Sequence, residues 1–325
     1  MAGMRRLTPS HNLTQTQIQQ HLRWREINPW QQFFLSLLLL IGAEALSFAP
    51  HDIITTIYRD QGAPALLADS SLVVGLLIGA IVSYLGFIGI IRWRAKRPAW
   101  ELSTNGALRE LSIGLLIGAL AVSAPILVLW ALGMYHVTGV RLNFDIIMSL
   151  AIGIGAGFTE EIFLRGFVLR LTERSMGTIA ALLFSSLIFG LGHIGNTDVT
   201  VWGAIAIGVE AGILLGAAYL LTRRLWLAIG IHAAWNAVQG GLWSSAVSGT
   251  GQRQGLLVAS FDGPDWLTGG AMGIEGAVLA LVSCLAVASW MLVRMHQEKL
   301  FVAPSNWPWR WRQAQPFRTL DSTTE

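Results

Sequence analysis

Residues Phe158 to Gly166 read FTEEIFLRG, two glutamates and an arginine set within an otherwise apolar stretch. A charged side chain in hydrocarbon costs roughly 2.5–3.5 kcal/mol on insertion scales, so each of the three needs a partner or a task. Helical spacing divides them. Glu161 and Arg165 are four apart on one face and are expected to pair within their own helix. Glu160 lies about 100° round the helix, above Leu164, and has to look to another helix.

The whole chain has the composition such a stretch implies. Of 325 residues 53% are hydrophobic and 13% charged, with a mean hydropathy of +0.55, whereas soluble domains carry roughly 25% charged residues. This predicts an all-α, polytopic membrane helix bundle. The sequence pI near 9.4 does not point to nucleic acid, because the basic residues fall between apolar runs, where membrane orientation accounts for them. The single Cys284 excludes an internal disulfide and a zinc site built on several thiolates.

Apolar runs at 33–49, 71–91, 111–135, 146–168, 177–195, 200–222, 225–245 and 270–293 predict about eight transmembrane helices, each near the roughly 20 residues a bilayer requires. With the N-terminus inside, alternate connections and both tails gather 18 of the 22 Lys and Arg, against three (Arg59, Arg141 and Arg253) on the other side. Both ends are therefore expected in the cytoplasm. The polar segment 1–29 reads as a cytoplasmic tail, 30–294 as the membrane domain, and 295–325 as a second cytoplasmic tail. The WPWRWR stretch in that second tail suits an anionic lipid surface or a disordered basic end equally well. Trp30, Trp93, Trp100, Trp226, Trp243 and Trp266 fall near expected helix ends. There are no evident internal repeats, which weighs against an inverted-repeat transporter.

Further polar groups occur where a bilayer should exclude them. The fifth run ends FGLGH (Phe189 to His193), the seventh carries HAAWN (His232 to Asn236), and the sixth has a lone Glu210. His232 and Asn236, four apart, share a face. If the chain reverses near Arg174 to Gly177, Glu160 and His193 come to the same height, roughly 25 Å from the turn at 1.5 Å per residue. A Glu/His/His/Asn cluster on three helices follows, in a cleft expected to open toward the cytoplasm. Gly153, Gly155, Gly157, Gly190 and Gly192 are expected to let the fourth and fifth helices approach closely. One chemistry for the set is hydrolysis, with a carboxylate and an imidazole deprotonating water while a second imidazole and an amide meet the developing oxyanion. The same Glu160, His193 and His232 would equally serve as ligands for a divalent metal such as Zn²⁺. Taken singly, an intramembrane histidine is more often interhelical glue than a catalyst. Four costly groups at compatible depths argue for a shared purpose.

The three motifs together carry a resemblance. EEIFLR (Glu160 to Arg165), FGLGH and HAAWN match, in order and approximate spacing, the EExxxR, FxxxH and HxxxN motifs of the CAAX proteases and bacteriocin-processing enzymes. The chain resembles a prokaryotic member of that intramembrane protease family, over about residues 111–245. The resemblance implies that Glu160 and His193 activate water, that His232 and Asn236 stabilise the oxyanion, and that Glu161 and Arg165 support the site. It implies a membrane-associated protein or peptide as substrate and a bacterial inner membrane, or an internal membrane such as a thylakoid, as the setting. The rival readings are a non-catalytic scaffold or immunity protein and a proton-coupled transporter.

Overall fold

The computed structural model describes residues 28–251 and 254–304. Arg253, the WPWRWR stretch and nearly all of segment 1–29 lie outside them. The fold is an all-α bundle. Helices α1 (Pro29–Ile57), α2 (Ala65–Ile90) and α3 (Ala107–Ala131) come first, and α4 (Phe144–Glu161) follows. A π-helical stretch, Ile162–Leu169, carries α4 into α5 (Arg170–Gly192). Then come α6 (Val201–Ile207), a second π-helical stretch Gly208–Gly212, α7 (Ile213–Thr222) and α8 (Trp226–Gly241). A short α9 (Asp265–Thr268) precedes α10 (Val278–Gln297).

The outer helices are built inside out relative to a soluble bundle. α1 buries Gln32, Ser36, Ala43 and Ser47, and α2 buries Gly75, Gly79, Ala80 and Ser83. Leu38, Ile41, Ile81, Leu85 and Leu120 face outward. Small residues inside and large apolar ones outside are what lipid selects, since contact with hydrocarbon makes apolar exposure harmless and close backbone packing supplies the attraction. Six described helices are long and apolar enough to cross a bilayer. The protein is a multi-pass membrane protein.

Three of the expected spans fare differently from the others. The fourth and fifth form one 49-residue helical stretch, Phe144–Gly192, broken at Gly177, whose φ of 77° and ψ of 168° are not helical. Glycine reaches that conformation without steric cost. The seventh is α8, only 16 residues long. At 1.5 Å per residue it measures about 24 Å, short of a hydrocarbon core of about 30 Å. It is sheathed by protein instead. A Cβ on Gly118 of α3 would stand 2.2 Å from the Ile231 carbonyl oxygen, and one on Gly153 of α4 would stand 2.4 Å from that of Ala233.

These contacts correct the expected role of the glycines. Gly153 and Gly157 admit α8, Gly155 meets Leu76 of α2, Gly190 meets Ala204 of α6, and Gly192 has no neighbour within 4 Å. The small face of α4 receives the buried, site-bearing α8, because that helix needs the closest cover. The fold also adds an antiparallel ribbon, β1 (Tyr135–Val140) with β2 (Leu257–Phe261), in the register Tyr135 to Phe261 with an irregularity between Val137 and Gly139.

The connections gather in two groups. In one, Arg170 bonds Gln32 at 2.7 Å and lies 3.7 Å from Glu101, which also pairs with Arg97 at 2.6 Å. Arg224 donates to the Ser103 carbonyl at 2.6 Å, and Arg223 reaches Glu173 and the Leu300 carbonyl. Burial alone would raise the Glu101 carboxyl, but the Arg97 and Arg170 guanidiniums hold it below the usual carboxylate range. The second group holds the β ribbon, the Asn143 bond to the Gln254 carbonyl at 2.6 Å, and the Asn196 bond to the Ser248 carbonyl at 2.7 Å.

Candidate active site

Helix α4 presents its two glutamates as the spacing requires. Glu161 Oε1 accepts from Arg165 Nη1 at 2.8 Å, and neither side chain has any solvent exposure. The arginine does more than pair. Its Nη2 donates to the carbonyls of Ala211 at 3.1 Å and Gly212 at 3.2 Å, at the end of the second π-helical stretch, where widened turns leave carbonyls in need of donors. Its guanidinium also lies 4.9 Å over the Phe189 ring.

The same Glu161 oxygen accepts a second bond, from His232 Nδ1 at 2.8 Å. A carboxylate only accepts, so Nδ1 carries the proton and Nε2 is the free nitrogen of the ring. His193, at the C-terminal end of α5, is held in the same way, with Nδ1 donating to the Phe189 carbonyl at 2.8 Å. Both imidazoles are thus fixed at one nitrogen and available at the other. The Phe189 ring packs against both, 4.8 Å from His193 and 6.0 Å from His232 between centroids.

Glu160, His193, His232 and Asn236 all line one cavity of about 530 Å³. Glu160 and His193 are 33 residues apart, which would be about 50 Å along a straight helix, so their meeting reports the reversal at Gly177. Glu160 lies within Coulombic reach of His232 and Arg165. Asn236 is buried at 4% exposure. Glu210, 1% exposed, is not brought to the cavity; neither of its oxygens finds a hydrogen-bond partner among the described residues. It sits toward Glu275 and Cys284. Among the described residues no three His, Cys, Asp or Glu side chains converge closely enough to hold a metal ion.

The cavity does not border the charged connections as expected. Asn196, Val247, Ser248 and Thr250 line it, and Asn196 and Ser248 belong to the second group. The reason is the length of α5, which ends about 24 Å beyond Gly177 and leaves His193 at the level where those connections close over. Sequence reading also passed over Glu44 of α1, which lines the cavity, and Glu275, which accepts from Trp235 Nε1 at 3.1 Å. The signal for Glu44 is the cost it shares with Glu160, that of a carboxylate in an apolar run.

Residues 141–238 match the family model of the type II CAAX prenyl endopeptidase Rce1-like proteins. Over this segment the chain is similar to the CAAX protease family. Neither a curated protein nor a solved structure matches the chain. The matched segment holds α4, α5 and most of α8, with all four cavity-lining polar residues above. Helices α1, α2, α3 and α10 lie outside it.

Proposed function

We propose that this protein is an intramembrane endopeptidase that hydrolyses a peptide bond of a membrane-associated protein or peptide, with both chain ends in the cytoplasm. The observation that carries this reading is the convergence of Glu160, His193, His232 and Asn236 on one cavity within the CAAX protease segment.

Glu160 takes a proton from a water in the cavity, and Nε2 of His193 accepts that water's other hydrogen and orients it. The hydroxide formed attacks the scissile carbonyl carbon. The Asn236 amide donates to the carbonyl oxygen as it becomes negative. His232 donates from Nε2 when its ring carries both protons, and the Glu161 carboxylate is the counter-ion for that state. Glu160 then returns its proton to the leaving amine. Arg165 holds Glu161 in place and touches no reacting atom.

The test is cleavage of a membrane-embedded peptide library by the purified protein in lipid nanodiscs. Glu160→Gln should lower kcat by about 10²–10⁴-fold, the usual worth of a general base. Cleavage at the wild-type rate by that variant refutes the assignment.

A further inference from the structure

The cavity contains a carboxylate that the reaction above does not use. Glu44 projects from α1, outside the CAAX protease segment, and lines the cavity together with Glu160. The two carboxylates are within Coulombic reach of each other. No lysine or arginine is among the lining residues, and Arg165, the nearby cation, is sealed at 0% side-chain exposure. Glu44, half-buried, hydrogen-bonds to no described residue, whereas Glu101, Glu161, Glu173 and Glu275 have donors; Glu210, which also has none, lies away from the cavity. Asn236, 4% exposed, likewise turns an unpartnered amide into the same space. A buried amide without a partner is aimed at something that hydrogen-bonds, and a peptide backbone supplies that. A second carboxylate facing a space lined by no lysine or arginine suits a positively charged group.

We propose that the substrate segment entering this cavity presents a lysine or arginine side chain to Glu44, so that α1 sets specificity while the CAAX protease segment performs the chemistry. The inference rests on the peptidase reading. Glu44 is a specificity residue: its carboxylate binds the cation in the ground state and the transition state alike. Its loss therefore raises KM and spares kcat.

The experiment uses the full chain in lipid nanodiscs and a series of single-span apolar peptides with amidated C-termini. Each carries one lysine, norleucine or glutamate, scanned across the positions that flank the cleavage point. The best substrate should carry lysine, with norleucine at the same position raising KM about 10-fold or more. Glu44→Gln should erase the difference between lysine and norleucine at unchanged kcat, and Glu44→Lys should shift the preference to glutamate. Equal KM values for lysine and norleucine peptides, or a lysine preference that survives Glu44→Gln, overturn the inference while the peptidase reading stands. If no peptide is cleaved, the peptidase reading fails, and binding decides the rest. Fluorescence anisotropy of labelled lysine and norleucine peptides, corrected for empty nanodiscs, supports the cation site if lysine binds about 10-fold tighter to wild type but not to Glu44→Gln. Equal binding removes the cation site.

Discussion

Glu160 and Glu161 are adjacent in the chain, yet replacing each by glutamine should have opposite effects. Glu161 Oε1 accepts two charge-assisted bonds, from Arg165 and from His232, both at 2.8 Å, in a site with no exposure on the carboxylate or the guanidinium. Glutamine keeps the oxygen but loses the charge, leaving Arg165 buried without its counter-ion. Breaking a buried pair in this way costs about 3–5 kcal/mol, in line with two charged hydrogen bonds at about 1.5–3 kcal/mol each. At roughly 2 °C per kcal/mol for a chain at the large end of the single-domain range, Glu161→Gln should lower Tm by about 6–10 °C. Glu160 faces the cavity and shows no hydrogen bond to a described residue, so Glu160→Gln should leave Tm within about 2 °C while removing activity. The assay is thermal unfolding of both variants in one detergent, followed by intrinsic fluorescence of the tryptophans. A wild-type Tm for Glu161→Gln, or a larger loss for Glu160→Gln than for Glu161→Gln, refutes the division of labour.

Asn236→Ala should lower kcat about 10²–10³-fold, the loss typical of removing one oxyanion donor, with little change in KM; steady-state kinetics separates the two. Gly118→Ala puts a Cβ where the Ile231 carbonyl oxygen is 2.2 Å away, and forcing α3 from α8 should destabilise by about 1–3 kcal/mol, read as a lower Tm. The depressed carboxyl of Glu101 contributes stability that is fully present above its unfolded value of 4.5 and lost as pH falls through its lower folded value. Wild-type Tm should thus drop as pH falls below about 4.5 more steeply than that of Glu101→Gln, and parallel curves would contradict the ion-pair account.

Intrahelical relations were the most legible in the sequence. The Glu161–Arg165 pair, the shared face of His232 and Asn236, and the matched depth of Glu160 and His193 all follow from 3.6 residues per turn and one turn at a glycine. What crosses between helices was not legible. Glycines reveal that a helix is approached closely, but not by which neighbour, so Gly153 and Gly157 suit α5 in the sequence as well as the α8 that they receive. That ambiguity hides the bond from His232 to Glu161, which makes Glu161 look merely structural. Glu44 was missed because a carboxylate outside any motif has no spacing to draw attention to it. The β ribbon escaped notice because Tyr135–Val140 finds its partner more than a hundred residues later, and local pattern does not encode so distant a pairing.

The shortness of α8 bears on how the protein is made. A 16-residue helix carrying a histidine and an asparagine is a poor candidate to partition into lipid alone, since it falls short of the hydrocarbon thickness and brings polar groups with it. It needs α3 and α4 already in place, with Gly118 and Gly153 open to receive it. Half of the polar set therefore arrives last, on a helix that the earlier helices must recruit. A nascent chain thus holds no complete polar set at the cavity until α8 has been received between α3 and α4.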